Sequence, residues 1–367
     1  VNLDDLRAEL TELDGKLLEL VARRQRLSEQ VAAVKRTIGK PTRDFGRERE
    51  VIVRARNTAE RLNVSPDLAE SLLRQLIQSS LATQEQLRVA ATAQGSGKRA
   101  LLIGGRGKMG GWFADFLASQ GFGVSIADPA GGLPGFASIA DWHKDPLDFD
   151  LIVLATPLSI TAGLLQALAA RAPRGLIFDL GSLKTPLRAG LEALAAAGCR
   201  VTSVHPMFGP DTELLSGRHV IFIDLGHAGA LAEAQELFAA TMAERVVMSL
   251  DEHDRLIAYV LGLSHALNIA FFTALADSGE AAPRLARLSS TTFDAQLDVA
   301  ARVAAESPEL YFEIQSLNDY GGESLNALQA AVLRLVTAVR EGNAAEFTAL
   351  MNRGRAYLDV RAAARPG

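Results

Sequence analysis

Residues suited to hydride and proton transfer stand at the ends of apolar runs. His205 closes VTSVH and is followed by PMFGPD, and Ser182 follows a similar run in DLGSLK. A strand's carboxyl end is where open α/β sheets take ligands. A neutral imidazole there can accept a hydroxyl proton as hydride leaves the adjoining carbon. The hydride needs an acceptor. Gly105, Gly107 and Gly110 in GGRGKMG have GxGxxG spacing directly after the run ALLI. At such a strand-to-helix turn, glycines let the backbone approach a pyrophosphate and the helix N-terminus supplies N–H donors. Eighteen residues after Gly110, at the end of VSIAD, Asp128 is placed to accept from an adenosine ribose 2′-hydroxyl. A carboxylate there repels a 2′-phosphate, and no arginine follows in PAGGLPG. The expected cofactor is therefore NAD, with Arg106 able to add a phosphate contact. The plainer alternative is a structural turn with an incidental acid. His143, His219 and His227 fall near predicted turns or strand ends and read as surface residues.

A second group is cationic. Apolar residues recur from Leu3 through Leu10, Leu17 and Leu27 to Ile38 at spacings of three and four, the pattern of a long helix with one buried seam. Arg24 stands where that seam asks for an apolar side chain. Lys35 lies eleven residues on, about three turns and so on nearly the same face, and Arg7 occupies the heptad position equivalent to Lys35. A buried cation without a partner is costly, so these groups need carboxylates of the fold or an anionic ligand. Arg24 alone is also compatible with a polar seam residue that sets register in a helical dimer. A later helix, opening at Ser65-Pro66, carries Ser80 and Gln84 on an otherwise apolar stripe of Leu73, Ile77 and Leu87. Interrupted stripes on both helices point to a polar pocket inside a bundle.

The elements that must position these groups fall into three regimes. A chain of 367 residues has room for two or three domains, by the prior of roughly 100 to 200 residues each. Up to the small-residue linker ATAQGSGK every segment reads as helix. Beyond it short apolar runs (Ala100–Ile103, Val124–Ala127, Leu151–Ala155, Leu176–Leu180, Val201–Val204, Val220–Asp224) alternate with helical patterns, the rhythm of βαβ units and a mainly parallel sheet. From about Asp251 the strand signals vanish and amphipathic helices follow. The expected fold is an all-α bundle (1–92), a Rossmann-type α/β domain (93–250) and an all-α helical domain (251–367).

Composition excludes several classes. Hydrophobic residues at 48% and charged residues at 22% suit a globular chain rather than a disordered or fibrous one. The net charge is −5, and residues 1–92 hold 16 Lys+Arg against 14 Asp+Glu, too balanced to suggest a nucleic-acid partner. The first thirty residues mix acids and bases without an apolar core, unlike a signal peptide. No run reads as membrane-spanning. The one cysteine, Cys199, allows no internal disulfide, no Cys/His cluster offers metal ligands, and the expected location is cytoplasmic.

Across residues 1–90, the order LR, ELDGKLLELVARR, VAAVK, RDFGRERE and SSLATQ resembles the all-helical chorismate mutases. The resemblance implies a pocket of Arg7, Arg24, Lys35, Asp44, Arg47, Glu48, Ser80 and Gln84 in an intertwined dimer, with Arg7 reaching the partner's site. The repeat in RERE leaves Arg49 and Glu50 open as alternatives to Arg47 and Glu48. The substrate, chorismate, is a dianion, and its rearrangement to prephenate needs no nucleophile or general base. Catalysis would come from holding the compact conformer and from Lys35 and Gln84 donating to the ether oxygen.

Residues 99–360, through DLGSLK, HPMFGPD, DEHD and the helical tail, resemble prephenate dehydrogenases. The order of the two parts is that of the bifunctional chorismate mutase/prephenate dehydrogenases of tyrosine biosynthesis. The resemblance implies that His205 takes the substrate hydroxyl hydrogen bond, Ser182 supports it, Arg302 clamps a prephenate carboxylate and His253 sits nearby. It implies a homodimer, and the match at His265 brings in tyrosine as a feedback inhibitor. Asp294 departs from the family, which has an arginine there, and so do Arg106 and Lys108 in the glycine loop. Two other readings are an arogenate or β-hydroxyacid dehydrogenase, which leaves the cationic bundle unused, and an NAD-sensing dimer without turnover.

Overall fold

The computed structural model describes residues 2–280 and 282–364. The chain divides into two compact units, one of residues 1–156, 160–181 and 189–248, the other of 157–159, 182–188 and 249–367.

In the first unit, helices α1 (Leu3–Thr37), α2 (Phe45–Arg61) and α3 (Pro66–Thr92) begin at side-chain caps. Asn2 accepts from the Asp4 N–H, Asp44 from that of Arg47 and Ser65 from that of Leu68. Acids in the first turn of α1 and bases in its last complement the helix dipole. α3 lies against both α1 and α2 and buries Ser80, Leu81, Gln84 and Val89. α1 buries none of its residues. Leu3, Leu10, Leu20, Leu27 and Val34 are all more than half exposed, so the seam expected to be buried has no cover within one chain.

The same unit continues with β1 (Arg99–Ile103), α4 (Lys108–Ser119), β2 (Gly123–Ala127), β3 (Ala137–Ser138), β4 (Leu151–Leu154), α5 (Leu158–Ala169, in this unit from residue 160), β5 (Leu176–Asp179), α6 (Arg188–Ala196, in this unit from residue 189) and β6 (Arg200–Val201). The strands form one parallel sheet in the order β3-β2-β1-β4-β5-β6. This is the doubly wound nucleotide-binding arrangement, with its crevice between β1 and β4. Leu102, Phe113, Ile126, Val153 and Phe178 fill the core.

The run Val201–Val204, expected as one strand, is divided between two sheets. β7 (Ser203–Pro206) pairs antiparallel with β8 (His219–Ile223), which follows a loop and precedes α7 (Ala228–Glu236), and β9 (Glu244–Met248) completes a three-stranded sheet. Thr202 is the junction: its N–H donates to Ile177 O of β5 at 3.1 Å and its hydroxyl to Ile223 O of β8 at 2.9 Å. The two-residue β3 and the polar-flanked β9 gave no run long enough to read as strands.

The second unit holds α8 (Leu250–Ile257), a π-helical turn (Ala258–Leu263), α9 (Ser264–Asp277), α10 (Ala282–Arg287), α11 (Thr291–Ala304), α12 (Pro308–Ser316), α13 (Gly321–Arg340) and α14 (Ala344–Ala364). The expectation that no run reads as membrane-spanning fails at one segment. Leu250–Asp277 is long and apolar enough to cross a membrane by length and composition, with a mean hydropathy of 1.6. DEHDR at its start hid the uncharged run Ile257–Ala276 that follows. Leu256, Tyr259, Val260 and Leu267 of this segment are exposed in the single chain.

Candidate functional site

The cationic residues of α1 meet α3 at two levels. Arg24 donates to Leu76 O at 2.8 Å and to Ser80 Oγ at 2.7 Å. Both partners are neutral, burial pulls the Arg24 guanidinium down from its ordinary value, and among the described residues it forms no ion pair. Farther along, Lys35, Thr42, Gln84 and Arg88 line a cavity of about 350 Å³ that Arg36 and Lys40 also border, with no Asp or Glu in its wall. Lys35 Nζ donates to Thr42 O at 2.8 Å. Gln84 Nε2 donates to Ser28 Oγ at 2.6 Å, while its Oε1 is buried with no hydrogen-bond partner.

The remaining residues expected around this pocket are placed differently. Asp44 caps α2, and Arg47 is exposed and paired with Glu50 at 3.0 Å. Glu48 faces inward and takes a fork from Arg43, Nε and Nη2 each at 2.9 Å. Arg7 is exposed and paired with Asp4 at 3.4 Å. The single chain therefore bonds Arg24 to Ser80, sets Lys35 and Gln84 in one cavity wall, and does not bring Arg7 to either pair. Arg88 and Thr42 were missed from sequence. Arg88 lies four residues after Gln84, hence on the same helix face, and that spacing was the available signal.

At the carboxyl end of β1 the chain makes its tight turn at Gly104, with φ +86°. A Cβ at Gly105 would come 2.7 Å from the Ile126 side chain, and one at Gly110 would come 2.4 Å from Gly104 O, so packing demands both glycines. Gly107 meets nothing closer than 3.5 Å. The fold does not itself demand a glycine there, as expected where the open side must admit a ligand. Asp128 follows β2 and is half-buried. Its Oδ2 accepts from Arg106 N at 3.1 Å and its Oδ1 from Ala130 N at 2.9 Å. The Arg106 guanidinium donates to Ala130 O and Gly132 O, both at 3.3 Å. The turn, the N-terminus of α4 beginning at Lys108 and the acid after β2 together fit a dinucleotide.

His205 is 4% exposed on β7, in register with Ile221. Ser182 is half-buried in the loop after β5. In the second unit, His253 and Asp254 are fully buried and joined, Nδ1 to Oδ1, at 2.6 Å. Asp254 also accepts from Lys184 N at 2.9 Å, from Thr185 N at 2.6 Å and from the Thr185 hydroxyl at 2.5 Å. Burial pushes its pKa up, but hydrogen bonds from His253 and Thr185 outweigh that and hold it below the usual value. In DEHD the signal for Asp254 is its place beside a histidine, where an acid is a ready tautomer-fixing partner. Arg302 is exposed in the last turn of α11, where its charge suits the helix dipole. The His265 ring lies 4.1 Å from that of Tyr311, with its Nδ1 buried and unpartnered. Desolvation lowers the His265 pKa.

Residues 6–85 match the family model for chorismate mutase type II. Residues 138–247 match that for the prephenate dehydrogenase nucleotide-binding domain, and residues 249–353 that for the prephenate dehydrogenase dimerization domain. The nucleotide-binding match begins after the glycine loop, so Gly105 to Asp128 rest on the geometry above. The T-protein of Enterobacter agglomerans is 28% identical over 359 residues, covering 96% of this chain and 91% of that protein. The T-protein of Haemophilus influenzae is 29% identical over 318 residues, 85% of this chain and 80% of that protein. A chorismate mutase of Methanocaldococcus jannaschii is 32% identical over 84 residues, 23% of this chain and 85% of that protein. Among solved structures, prephenate dehydrogenase from Aquifex aeolicus with hydroxyphenyl propionate and NAD+ aligns with a TM-score of 0.55 at 19% identity, covering 72% of this chain and 98% of that one. The likeness at that identity is one of fold.

Proposed function

The chain belongs to the bifunctional T-protein family, a chorismate mutase joined to a prephenate dehydrogenase, and on that premise we propose which of its residues carry each reaction. The parts we assign are 1–92 for the mutase, 93–250 for nucleotide binding and 251–367 for the helical substrate and dimerisation domain.

The observation that carries the mutase assignment is the cavity with Lys35 and Gln84 in its wall and no carboxylate. Chorismate brings two negative charges to it. Arg24, held by Ser80, and Lys35 take the carboxylates, and fixing the compact conformer supplies most of the rate. Half a turn of the Gln84 amide lets Oε1 accept the Ser28 hydroxyl and frees Nε2 to donate, with Lys35, to the breaking ether bond. By the family resemblance Asp44, Arg47 and Glu48 also border the substrate, although in the single chain Asp44 caps α2, Arg47 pairs with Glu50 and Glu48 is held by Arg43. Glu48 faces inward whereas Arg49 and Glu50 are exposed, which favours the first register of RERE. Arg7 completes the site of a second copy. The uncovered seam of α1 supports that exchange, and a homodimer also accounts for the exposed apolar residues of Leu250–Asp277.

Prephenate is then oxidised and decarboxylated to 4-hydroxyphenylpyruvate. NAD+, when bound, supplies the hydride acceptor. Gly105, Gly107 and Gly110 with the start of α4 hold its pyrophosphate, Arg106 adds a phosphate contact, and Asp128 accepts from the ribose hydroxyl. His205 holds the substrate hydroxyl and accepts its proton, with Ser182 as its support. Arg302 binds a prephenate carboxylate. His253, without exposed surface, acts through Asp254, which holds the turn at Lys184 and Thr185 just beyond Ser182. Tyrosine is the inhibitor proposed at His265, and the reactions are placed in the cytoplasm.

The test is one cuvette with purified protein and chorismate, to which NAD+ is added later. Chorismate should disappear before the addition and NADH should appear after it. Persistence of chorismate with NADH formed from supplied prephenate would remove the assignment of Arg24, Lys35 and Gln84. Preference for arogenate over prephenate would replace the second substrate.

A further inference from the structure

The cavity that holds Lys35 and Gln84 contains a cation that neither the family resemblance nor the assignments above use. Arg88 lies one turn beyond Gln84 on α3, half-buried. Its Nη1 donates to the Thr42 hydroxyl at 3.2 Å, and the carbonyl of the same Thr42 takes Lys35 Nζ at 2.8 Å. Two positive charges thus meet at one buried threonine. Among the described residues neither forms an ion pair. The acid nearest to Arg88 in sequence on the inner face of α3, Glu85, is committed elsewhere: its carboxylate accepts the backbone N–H of Leu215 at 2.7 Å and that of Met242. Arg88 therefore feels the Glu85 carboxylate only through space, with no hydrogen bond to it, and two like charges held at one threonine raise each other's free energy. An anion entering between them removes that cost and gains a bond to each.

We propose that Arg88 is a substrate-binding residue of the mutase, its guanidinium taking a carboxylate of the dianionic substrate while Thr42 holds it beside Lys35. This deepens the mutase assignment and rests on it. A planar guanidinium offers a carboxylate two parallel donors, which Lys35, a point charge, does not. The contact exists equally in substrate and transition state, so its loss weakens binding more than turnover.

The test measures chorismate KM and kcat for the full chain with Arg88→Ala and Arg88→Lys at low and high NaCl. Arg88→Ala should raise KM about ten- to a hundredfold, the range of a lost charged hydrogen bond, with kcat within about threefold of wild type. Arg88→Lys should recover part of that loss. Because a charge and not a scaffold is removed, the rise of KM with salt should be shallower in Arg88→Ala than in wild type. Dehydrogenase activity on supplied prephenate should be retained, which excludes misfolding. A wild-type KM and salt slope in Arg88→Ala would overturn the proposal while leaving the mutase assignment standing. A wild-type protein inert toward chorismate would overturn both.

Discussion

Replacing Glu85 should separate the stability of the first unit from its chemistry. Glu85 is 4% exposed on α3, and its two carboxylate oxygens accept the N–H groups of Leu215 and Met242, which belong to the loop after β7 and the turn before β9. Arg43 reinforces the first of these ties through Ser216 Oγ at 2.6 Å. In Glu85→Ala both N–H groups lose their acceptor. A buried donor left unsatisfied costs about 1–3 kcal/mol, so the two together cost about 2–6 kcal/mol. The variant also no longer buries a carboxylate, and that relief brings the expected loss to about 2–4 kcal/mol. Glu85→Gln keeps one acceptor and sets its NH2 against the second N–H, for about 1–3 kcal/mol.

The pH dependence follows from the direction of the shift. Desolvation raises the Glu85 pKa more than the two backbone hydrogen bonds and the charge of Arg88 lower it. A carboxyl raised in the folded state favours folding in full below its unfolded value, and that contribution is lost as pH rises through the folded value. Urea denaturation of wild type should therefore show a decline in stability just above the ordinary carboxylate range, and Glu85→Gln should lack it. The loop tied at Leu215 follows His205, so dehydrogenase KM for prephenate should rise in Glu85→Ala. Stability of Glu85→Gln within about 0.5 kcal/mol of wild type, the scatter of neutral surface changes, would refute the reasoning.

Lys35→Ala should lower mutase kcat about a hundred- to a thousandfold, as for a lost transition-state donor, and leave NAD+ binding by fluorescence titration unchanged. His205→Asn should lower dehydrogenase turnover about a hundred- to ten-thousandfold, as for a lost general base, with chorismate rearrangement intact. Asp254→Asn breaks a fully buried pair with His253 and should cost about 3–5 kcal/mol in chemical denaturation. Because the Asp254 pKa is held low in the fold, its stabilisation is present above the unfolded carboxylate value and lost as pH falls through the folded one. The wild-type acid limb of the stability curve should accordingly be steeper than that of Asp254→Asn.

Much of this protein is legible from residues that act through neighbours in the chain. Ser65-Pro66 starts a helix because the cap and the fixed φ are local properties. GGRGKMG after ALLI specifies a turn because Gly104 must take a positive φ and Gly110 must clear the Gly104 carbonyl. The apolar period of α1 and the alternation of strands with helices likewise need no knowledge of distant residues.

What sequence did not disclose depends on segments far apart in the chain. Thr42 joins Lys35 to Arg88, forty-six residues away, and no periodicity couples a loop threonine to a helix arginine. Glu85 reads as a solvated helical acid until Leu215, 130 residues on, presents its N–H. The turn of the chain at Thr202 is made by bonds to two separate sheets, which no local propensity encodes. Asp254 and His253 are adjacent in sequence, yet their burial with the Lys184–Thr185 turn determines that the pair positions a loop instead of facing solvent. Local backbone preferences and apolar periods are properties of the chain itself. The charge state and partners of a buried polar group belong to the packed whole, because desolvation and hydrogen bonding act across space.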